Sequence, residues 1–459
     1  MQFCSKKIYS QRQQGFISLL VLVGIISTFM AGMVGYVKKA EIKSLIDKGL
    51  VVINKIDNHK ENNSTSNSLV KNIQVLIPSE GGRVAWSNQN IIAYSKYPAP
   101  ASSFHGEIYT MNPDGSNQTC ITCGKPQIPH LSNDIPAWSP NGQYIVFQSV
   151  DPALFNASSL PEAIKEHLTE GGSGVDNNLW AATPNGSAFY QLTNTTQGGA
   201  VLHPQFSPDG KKIFWAARVV TNTDSVSNNS TPGGRFAKLK QFLLRKRGYQ
   251  SGTRYGNAKP GSSSTKGEWM LKVADFVVDN SGPHLENIRS YQPLGPKVFY
   301  ESHSWTPDSR TIIFSSSANP TASQAPSCAC ALSIWKLNID TQKLTPLTHT
   351  HNVWNEHAYM SHDGNKIAWI SSRGYNFTPS GNWGKTLQTD FWLMNADGTN
   401  KEQLTYFNVP GSSEYNGDRT IVADSSWNPQ DNALVATLDD FKPGAPVSEV
   451  IVIYLNRSL

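Results

Sequence analysis

One phrase recurs six times along this chain, and it constrains the fold more than any other feature. Its clearest copies are residues 206–215 (FSPDGKKIFW) and 138–147 (WSPNGQYIVF). Proline fixes φ at the first turn position, Asp or Asn accepts local backbone hydrogen bonds, and Gly supplies a positive φ. Each copy therefore predicts a tight turn between two strands, in repeated units that cannot bury their apolar faces alone.

The other four copies are looser but keep the same order of residue types. They begin at Trp86, Trp305, Met360 and Trp427. A β-branched and aromatic run follows the turn, as in residues 311–314 (TIIF). Such a run is typical of a strand that is covered on both faces.

A second phrase follows the first one, with clear copies at residues 107–115 (EIYTMNPDG) and 390–398 (DFWLMNADG). An aromatic-rich strand leads into an Asp-Gly turn, and a polar strand then ends near Leu-Thr. These polar fourth strands are predicted at residues 118–122, 189–193, 286–291, 343–348 and 401–405. Four strands per repeat form a propeller blade. The predicted fold is all-β, a six-bladed β-propeller of four-stranded blades.

The last repeat has an irregularity that predicts how the ring closes. Its third strand, residues 450–455, is followed by too few residues for a fourth strand. A strand-like run without a repeat of its own, residues 72–77, lies just before the first blade. Because an unpaired strand edge is a liability, we expect these two segments to pair and to close the ring.

The repeat resembles that of the TolB-like β-propellers, most clearly in residues 203–210 (HPQFSPDG) with the strand and the Asp-Gly turn that follow. The resemblance covers residues 72–459 and implies the fold and a habit of binding partners. TolB also carries an α/β domain before its propeller, and residues 38–71 are too short to form one. We therefore expect a protein partner in the cell envelope, but the resemblance does not identify which protein it is.

The N-terminal region predicts a membrane anchor. Residues 15–37 contain no charge and are long enough to cross a bilayer as a single transmembrane helix. The acid-free leader, residues 1–14, favours a cytoplasmic N-terminus. Residues 38–71 are interpreted as a helical extension and a polar linker. The expected location is a bacterial-type inner membrane, crossed once, with the propeller in the periplasm or outside the cell.

The anchor has a second interpretation. Residues 12–20 (RQQGFISLL) resemble the leader of type IV pilins, in which a peptidase cuts after Gly. The cut would fall between Gly15 and Phe16. Leu20 stands where pilins usually have Glu, so a plain signal anchor and a pilin-like leader both stay open.

The propeller region contains four of the five cysteines, as Cys120-x-x-Cys123 and Cys328-x-Cys330. Zinc would want four ligands, but these two pairs fall in different blades. Local disulfides in an oxidising compartment are therefore favoured over free thiols and over a joint zinc site.

Histidine and aspartate recur at one position of the repeat. His203, His357 and Asp424 share it, while His303 is shifted by one residue and Asp134 is shifted the other way. The position begins the strand that lines the central channel, so these side chains are expected to converge. Imidazoles and carboxylates are ligands of divalent metals. The alternative is that they bond to neighbouring blades or to channel water.

The third blade contains an insertion at residues 220–267. From residue 235 onward it has no Asp or Glu, and its cations are Arg235, Lys238, Lys240, Arg245, Lys246 and Arg247, with further ones after them. A basic helix here would bind anionic lipid or an acidic partner. The alternative is that the insertion is a solvent-exposed loop and packs only a few apolar residues on the ring.

The remaining features narrow the class of function. The net charge of +5 is small for 459 residues, so no nucleic acid partner is expected. The sequence has no Gly-x-Ser-x-Gly, no phosphate-binding Gly-rich loop and no His-Glu-x-x-His. We expect a binding or scaffolding module rather than an enzyme, with no cofactor unless the channel binds a divalent metal.

Two alternatives to a binding module are kept. Oligogalacturonate lyases resemble this repeat family and place metal-binding histidines in such a channel, although their further ligand pattern is not recognisable here. That resemblance implies a metal-dependent polysaccharide lyase or hydrolase that uses the channel His and Asp residues. The other alternative is a minor pilin-like protein with a propeller head.

Overall fold

The structure is a computed structural model, and it describes the propeller region of the chain. The described residues are 69–97, 105–159, 165–166, 172–220, 268–296, 298–317, 331–350, 352–377, 386–441 and 447–456. The predicted leader, membrane span, helical extension and basic insertion lie outside these ranges. Within them, no helix has the length and apolar character needed to cross a membrane.

The described strands form six sheets of four strands each, which confirms the six-bladed propeller. The first strand along the chain is β1 (Val70–Ile77). Blade 1 contains β2 (Gly81–Trp86), β3 (Ile92–Lys96), β4 (Glu107–Met111) and β5 (Thr119–Cys120). Blade 2 contains β6 (Asn133–Trp138), β7 (Ile145–Val150), β8 (Asn177–Ala182) and β9 (Phe189–Gln191). A short helix, α1 (Pro152–Ala157), joins β7 to β8.

The remaining blades follow the same plan. Blade 3 contains β10 (Ala200–Phe206), β11 (Lys212–Val219), β12 (Glu268–Asp279) and β13 (Gly282–Tyr291). Blade 4 contains β14 (Tyr300–Trp305), β15 (Thr311–Ser316), β16 (Ser333–Asn338) and β17 (Leu344–Pro346). Blade 5 contains β18 (Asn355–Met360), β19 (Lys366–Ser371), β20 (Asp390–Asn395) and β21 (Glu402–Gln403). The last strands are β22 (Arg419–Trp427), β23 (Ala433–Phe441) and β24 (Val447–Leu455).

The ring is closed by strands from the two ends of the propeller region. Blade 6 has the strand order β1-β24-β23-β22, so β1 supplies the outer strand that the last repeat lacks. The two strands are antiparallel, with Asn72 opposite Tyr454 and Ile77 opposite Val450. The predicted pairing of residues 72–77 with residues 450–455 is confirmed.

The outer strands differ among the blades. Four of them contain only two or three residues, namely β5, β9, β17 and β21. In blade 3, β12 and β13 contain twelve and ten residues, so the predicted fourth strand at 286–291 begins earlier than expected. The hydrophobic core lies between neighbouring sheets and includes fully buried aromatic rings such as Trp215, Trp369 and Tyr94.

Each innermost strand contains an irregularity at the same place. The register with the second strand shifts in β2, β6, β10, β14, β18 and β22, at residues that lie two to four positions before the last residue of the strand. In three blades the residue at this place has a positive φ, at Ile135, His203 and His357. A β-bulge of this kind interrupts the strand alternation and re-aims a side chain. The bulges turn these side chains toward the hub of the ring.

Candidate metal centre at the hub

Three of the four predicted metal ligands meet at the hub. Asp424 Oδ1 lies 3.1 Å from His357 Nδ1 and 3.3 Å from His203 Nδ1. The donor atoms of the three residues all lie within 4.8 Å of one another. Each residue is at most 2% exposed, so the group is sealed inside the ring. The sequence predicted that these side chains converge at the central channel but did not predict their burial.

The fourth predicted ligand, His303, lies beside this group. Its ring centroid is 5.6 Å from that of His357, and its Nε2 lies 2.7 Å from the hydroxyl of Ser315. Its Nδ1 is buried without a hydrogen bond to any described residue. Burial lowers the pKa of His303 to about 3, because the protonated ring would be desolvated. His303 is therefore a neutral imidazole at ordinary pH.

Asp134, which the sequence placed near the same repeat position, bonds elsewhere. Its carboxylate accepts hydrogen bonds from the hydroxyls of Ser95 and Tyr97. The residue of blade 2 that occupies the repeat position itself is Ile135, which is buried. Blade 2 therefore contributes no ionisable group at the position that His203 and His357 occupy in their blades.

The sequence analysis missed Arg83, although a signal was present. Arg83 lies three residues before Trp86, as Asp424 lies three residues before Trp427. Its Nη1 donates to Asp424 Oδ2 at 2.6 Å, and both side chains are at most 6% exposed. Arg83 therefore occupies the same repeat position as Asp424, but arginine is not a metal ligand, so the prediction of a metal site did not include it.

Two glutamates behind the histidines were also missed. Glu301 Oε1 lies 2.9 Å from His203 Nε2, and Glu356 Oε2 lies 3.4 Å from His357 Nε2. Metal-bound histidines usually present their second ring nitrogen to a carboxylate, which fixes the orientation of the ring. Each of these imidazoles thus has Nδ1 toward Asp424 and Nε2 toward a glutamate side chain, and the glutamates fix the orientation of the rings.

The spacing of the donor atoms fits a shared ion. Ligand atoms about 2.1 Å from one ion lie roughly 3.0 Å apart in octahedral and roughly 3.4 Å apart in tetrahedral coordination. The two separations at Asp424 Oδ1 are 3.1 and 3.3 Å. His203 Nδ1 and His357 Nδ1 are buried and make no aligned hydrogen bond to any described residue, and the same is true of His203 Nε2 beside Glu301. What distinguishes the two Nδ1 atoms is that they lie close to the same carboxylate oxygen, as ligands of one ion would.

The ionisation of the hub residues follows from their neighbours. Burial lowers the pKa of His203, but the carboxylates of Asp424 and Glu301 more than offset this and raise it to about 9. Burial also opposes ionisation of Asp424, yet His357, Arg83 and His203 hold its pKa well below the usual range. A positive charge beside Asp424 is therefore favoured, either as a proton on His203 or as a bound metal ion.

The two glutamates differ in their protonation. Burial and the neighbouring charge of Glu301 raise the pKa of Glu356 well above its usual value. A hydrogen bond from Glu356 and the charge of His203 hold the pKa of Glu301 low, against the effect of burial. Glu356 is thus the protonated partner, and its carboxyl also accepts the Trp354 indole N–H at 2.8 Å.

The hub connects five of the six blades. Arg83 comes from blade 1, His203 from blade 3, Glu301 from blade 4, His357 from blade 5 and Asp424 from blade 6. Blade 2 is connected to the hub through Gln148, whose side-chain oxygen accepts a hydrogen bond from the backbone N–H of His203 at 2.8 Å. A buried and connected polar network of this kind specifies a single arrangement of its elements.

The other predicted site residues are partly described. Cys120 and Cys123 form a disulfide in the structure. Cys328 and Cys330 lie outside the described residues, as do Gly15 and Phe16. So do the predicted basic residues Arg235, Lys238, Lys240, Arg245, Lys246 and Arg247.

Comparison with known proteins finds similarity only among solved structures. No protein-family model matches the chain, and the search of curated proteins found no match. TolB from Acinetobacter baumannii is 14% identical with a TM-score of 0.42, over 83% of this chain and 66% of that chain. A TolB candidate from Agrobacterium tumefaciens is 13% identical with a TM-score of 0.44, over 83% and 96%. An oligogalacturonate lyase from Vibrio parahaemolyticus is 13% identical with a TM-score of 0.43, over 84% and 94%.

These values are too low to support any argument about activity or partners. This chain spans about two thirds of the Acinetobacter TolB. The six-bladed architecture described above rests on the strand pairing of this chain itself.

Proposed function

We propose that this protein is a binding or scaffolding propeller whose hub holds a divalent cation. The observation that carries the proposal is the convergence of two buried imidazole nitrogens, His203 Nδ1 and His357 Nδ1, on Asp424 Oδ1. Neither nitrogen makes an aligned hydrogen bond to a described residue. Structural metal sites are closed, whereas catalytic sites keep an open position. The burial of all three residues favours the structural kind.

The cation would supply positive charge at the point where three strands meet. His203, His357 and Asp424 would hold it, and they come from β10, β18 and β22. Glu301 and Glu356 orient the two imidazoles through their Nε2 atoms. A disc fixed at its centre can present loops and outer strands as a rigid binding surface.

Metal analysis of the full-length protein tests this proposal. We expect one bound divalent cation per chain, lost in the His203→Ala, His357→Ala double variant. His284→Ala is the matched control, because His284 lies on the outer strand β13 with its side chain 34% exposed. Chelation should lower the free energy of unfolding of the wild type by about 3 kcal/mol where free metal was about 100 times its dissociation constant. A chain that binds no cation and unfolds identically with and without chelator would contradict the proposal.

The second candidate is a metal-dependent polysaccharide lyase or hydrolase. The observation that favours it is the Tyr359 hydroxyl, which donates to Asp424 Oδ1 at 2.9 Å next to the guanidinium of Arg83. A phenol and a guanidinium beside a metal can transfer a proton and bind a carboxylate. Incubation with polygalacturonate and Mn²⁺, followed by ultraviolet absorbance for elimination products and by a reducing-sugar assay for hydrolysis, separates the candidates. Turnover that is lost in Tyr359→Phe would favour the enzyme, and no turnover is expected for a scaffold.

The proposed setting is the cell envelope, with a protein partner. Support comes from the uncharged run at residues 15–37, which lies outside the described residues. We expect the full-length chain to sediment with membranes and to resist extraction by high salt. N-terminal sequencing distinguishes a plain anchor from a minor pilin-like protein, which would begin at Phe16. Crosslinking in native membranes should capture the same partner reproducibly, and capture of none would count against a scaffold.

A further inference from the structure

The connection from blade 1 to blade 2 contains a turn with two sulfur atoms. Cys120 ends β5 and is bonded to Cys123, and Gly124 follows with φ +64°. The backbone N–H of Cys123 donates to Cys120 Sγ at 3.0 Å. Metal sites often take two ligands from Cys-x-x-Cys, and N–H groups aimed at a sulfur stabilise its thiolate form. The backbone therefore already has the form that a pair of thiolate ligands requires.

A carboxylate stands beside the two sulfurs. The donor atoms of Glu107, Cys120 and Cys123 all lie within 4.8 Å of one another. Glu107 is held through Oε2, which accepts hydrogen bonds from the Thr122 hydroxyl and from the Asn133 amide, the latter at 3.2 Å. Its other oxygen, Oε1, takes part in neither of these hydrogen bonds and can contact a further group.

An imidazole and a phenol complete the surroundings. His130 Nδ1 lies 3.6 Å from Glu107 Oε1, and the side chain of His130 is 41% exposed. The Tyr109 hydroxyl lies 3.5 Å from Cys123 Sγ, where it can donate to a sulfur that carries negative charge. Glu107, Cys120 and Cys123 thus form one group, and His130 adjoins it at Glu107 Oε1, with its Nε2 2.7 Å from the carbonyl oxygen of Lys125. Zinc takes four ligands, which two sulfurs, one carboxylate oxygen and one imidazole nitrogen would supply.

We propose that this turn is a redox-controlled metal site, absent while the disulfide is intact and formed when it is reduced. The reductant is a dithiol. It supplies two electrons and two protons, the Cys120–Cys123 bond breaks, two thiols form, and the dithiol becomes a disulfide. Zn²⁺ then binds Cys120, Cys123 and Glu107, with His130 as the fourth ligand, and the two thiol protons are released to solvent.

The disulfide and the metal-bound form use the same two sulfur atoms, so they cannot exist together. A disulfide sulfur has no negative charge and is a poor ligand, whereas a thiolate is the form that binds metal. Cys120 is half-buried and Cys123 is exposed, so a dithiol can reach the bond. The site prefers soft metals because of its thiolates, unlike the imidazole and carboxylate donors of the hub.

The test uses the full-length protein with Cys4, Cys328 and Cys330 replaced by Ser, so that only Cys120 and Cys123 can form thiolates. The protein is reduced, freed of reductant without air, and titrated with Co²⁺ and then with Zn²⁺. We expect a thiolate-to-Co²⁺ charge-transfer band that saturates at one ion per chain and is displaced by Zn²⁺. The oxidised protein should show no such band.

Two variants decide whether the site is built as proposed. Glu107→Gln should weaken Zn²⁺ binding roughly tenfold or more, and so should His130→Gln. His203→Ala should leave the band unchanged, so the result is independent of the hub. Two outcomes would overturn the proposal: no saturable band in the reduced protein, or equal Zn²⁺ affinity in the triple-Ser protein with and without Glu107→Gln. The circular dichroism of each variant while oxidised shows that it is folded.

Discussion

The hub and the outer part of blade 5 each bury an aspartate, and the two carboxyls behave in opposite ways. Asp424 at the hub lies against Arg83 and the two imidazoles, which hold its pKa well below the usual range. Asp390, the first residue of β20, accepts four hydrogen bonds, from Tyr375, Thr405, Phe407 and Asn408. Burial nevertheless raises the pKa of Asp390 to about 6, because those bonds only partly replace lost hydration.

The comparison shows that hydrogen bonds alone do not keep a buried carboxylate charged at low cost. Opposite charge does so at Asp424, where Arg83 approaches to 2.6 Å. A site that maintains a carboxylate inside the protein, with imidazoles on one of its oxygens, is suited to bind a cation. Asp390 instead organises the loop after β21 through its hydrogen bonds and gains little from remaining charged.

The largest effect is expected from Asp424→Asn. Loss of this charge leaves Arg83 and His203 buried without their main counter-charge, and breaking a buried pair in this way costs about 3–5 kcal/mol of unfolding free energy. Urea titration followed by tryptophan fluorescence measures the loss. Asp114→Asn is the control, since Asp114 is an exposed turn residue and its replacement should barely shift the midpoint. Similar midpoints for the two variants would mean that the hub ion pairs are dispensable.

A second effect concerns pH and separates the two aspartates. Because the pKa of Asp390 is raised from 3.8 to about 6 on folding, the folded state binds the proton more tightly than the unfolded state. Its stabilising contribution is complete below about pH 4 and is lost as the pH rises through 6, amounting to up to about 3 kcal/mol. Urea titrations between pH 4 and pH 7 should therefore show Asp390→Asn becoming relatively more stable as the pH rises. A constant difference from the wild type would show that Asp390 titrates normally.

A third, smaller effect is expected at a buried aspartate between blades 5 and 6, whose imidazole partner His362 has its side chain 43% exposed. Asp431 accepts the backbone N–H groups of His362 and Asp363, at 2.9 and 3.0 Å, and contacts the imidazole of His362 at 2.8 Å. Asp431→Asn retains one acceptor oxygen and tolerates the positive φ of this residue, so the loss should be about 1 kcal/mol. A loss as large as that of Asp424→Asn would mean that the solvent exposure of the partner side chain does not set the cost.

The smallest effect is expected at an exposed ion pair. Arg310 Nε lies 3.8 Å from Asp340 Oδ2, with the two side chains 70% and 52% exposed. Water screens such pairs, and the expected loss in Arg310→Ala is at most about 0.5 kcal/mol. A clearly larger loss, measured in the same urea titration, would mean that solvent exposure does not decide the value of these aspartates.

Most of the fold could be predicted from the sequence, because turn chemistry and strand composition act locally. The turns at residues 140–142 and 208–210 require no tertiary contact to be recognised, and the strand without a repeat at residues 72–77 left only one sensible partner. The length of the outer hairpin of blade 3 was missed. Its strands were predicted as short as those of the other blades, although the turn residues 279–282 (DNSG) marked the start of β13 at Gly282.

The candidate site could be predicted only in part. Repeat alignment found His203, His357 and Asp424, since equivalent residues of a ring occupy equivalent places. It missed Glu301 and Glu356, because a residue one step along a strand normally faces the other way. The bulges in β14 and β18 change that direction, and the sequence phrase contains no sign of their geometry.

By itself, then, the sequence determined the repeat, the number of blades and the way the ring closes. Short-range backbone preferences and the need to pair every strand edge are sufficient for these features. Only the tertiary structure decided which charges meet, which carboxyl retains its proton and that the hub is sealed. Those properties depend on distances of a few ångströms between residues hundreds of positions apart, and such distances exist only once all the blades have closed around a common axis.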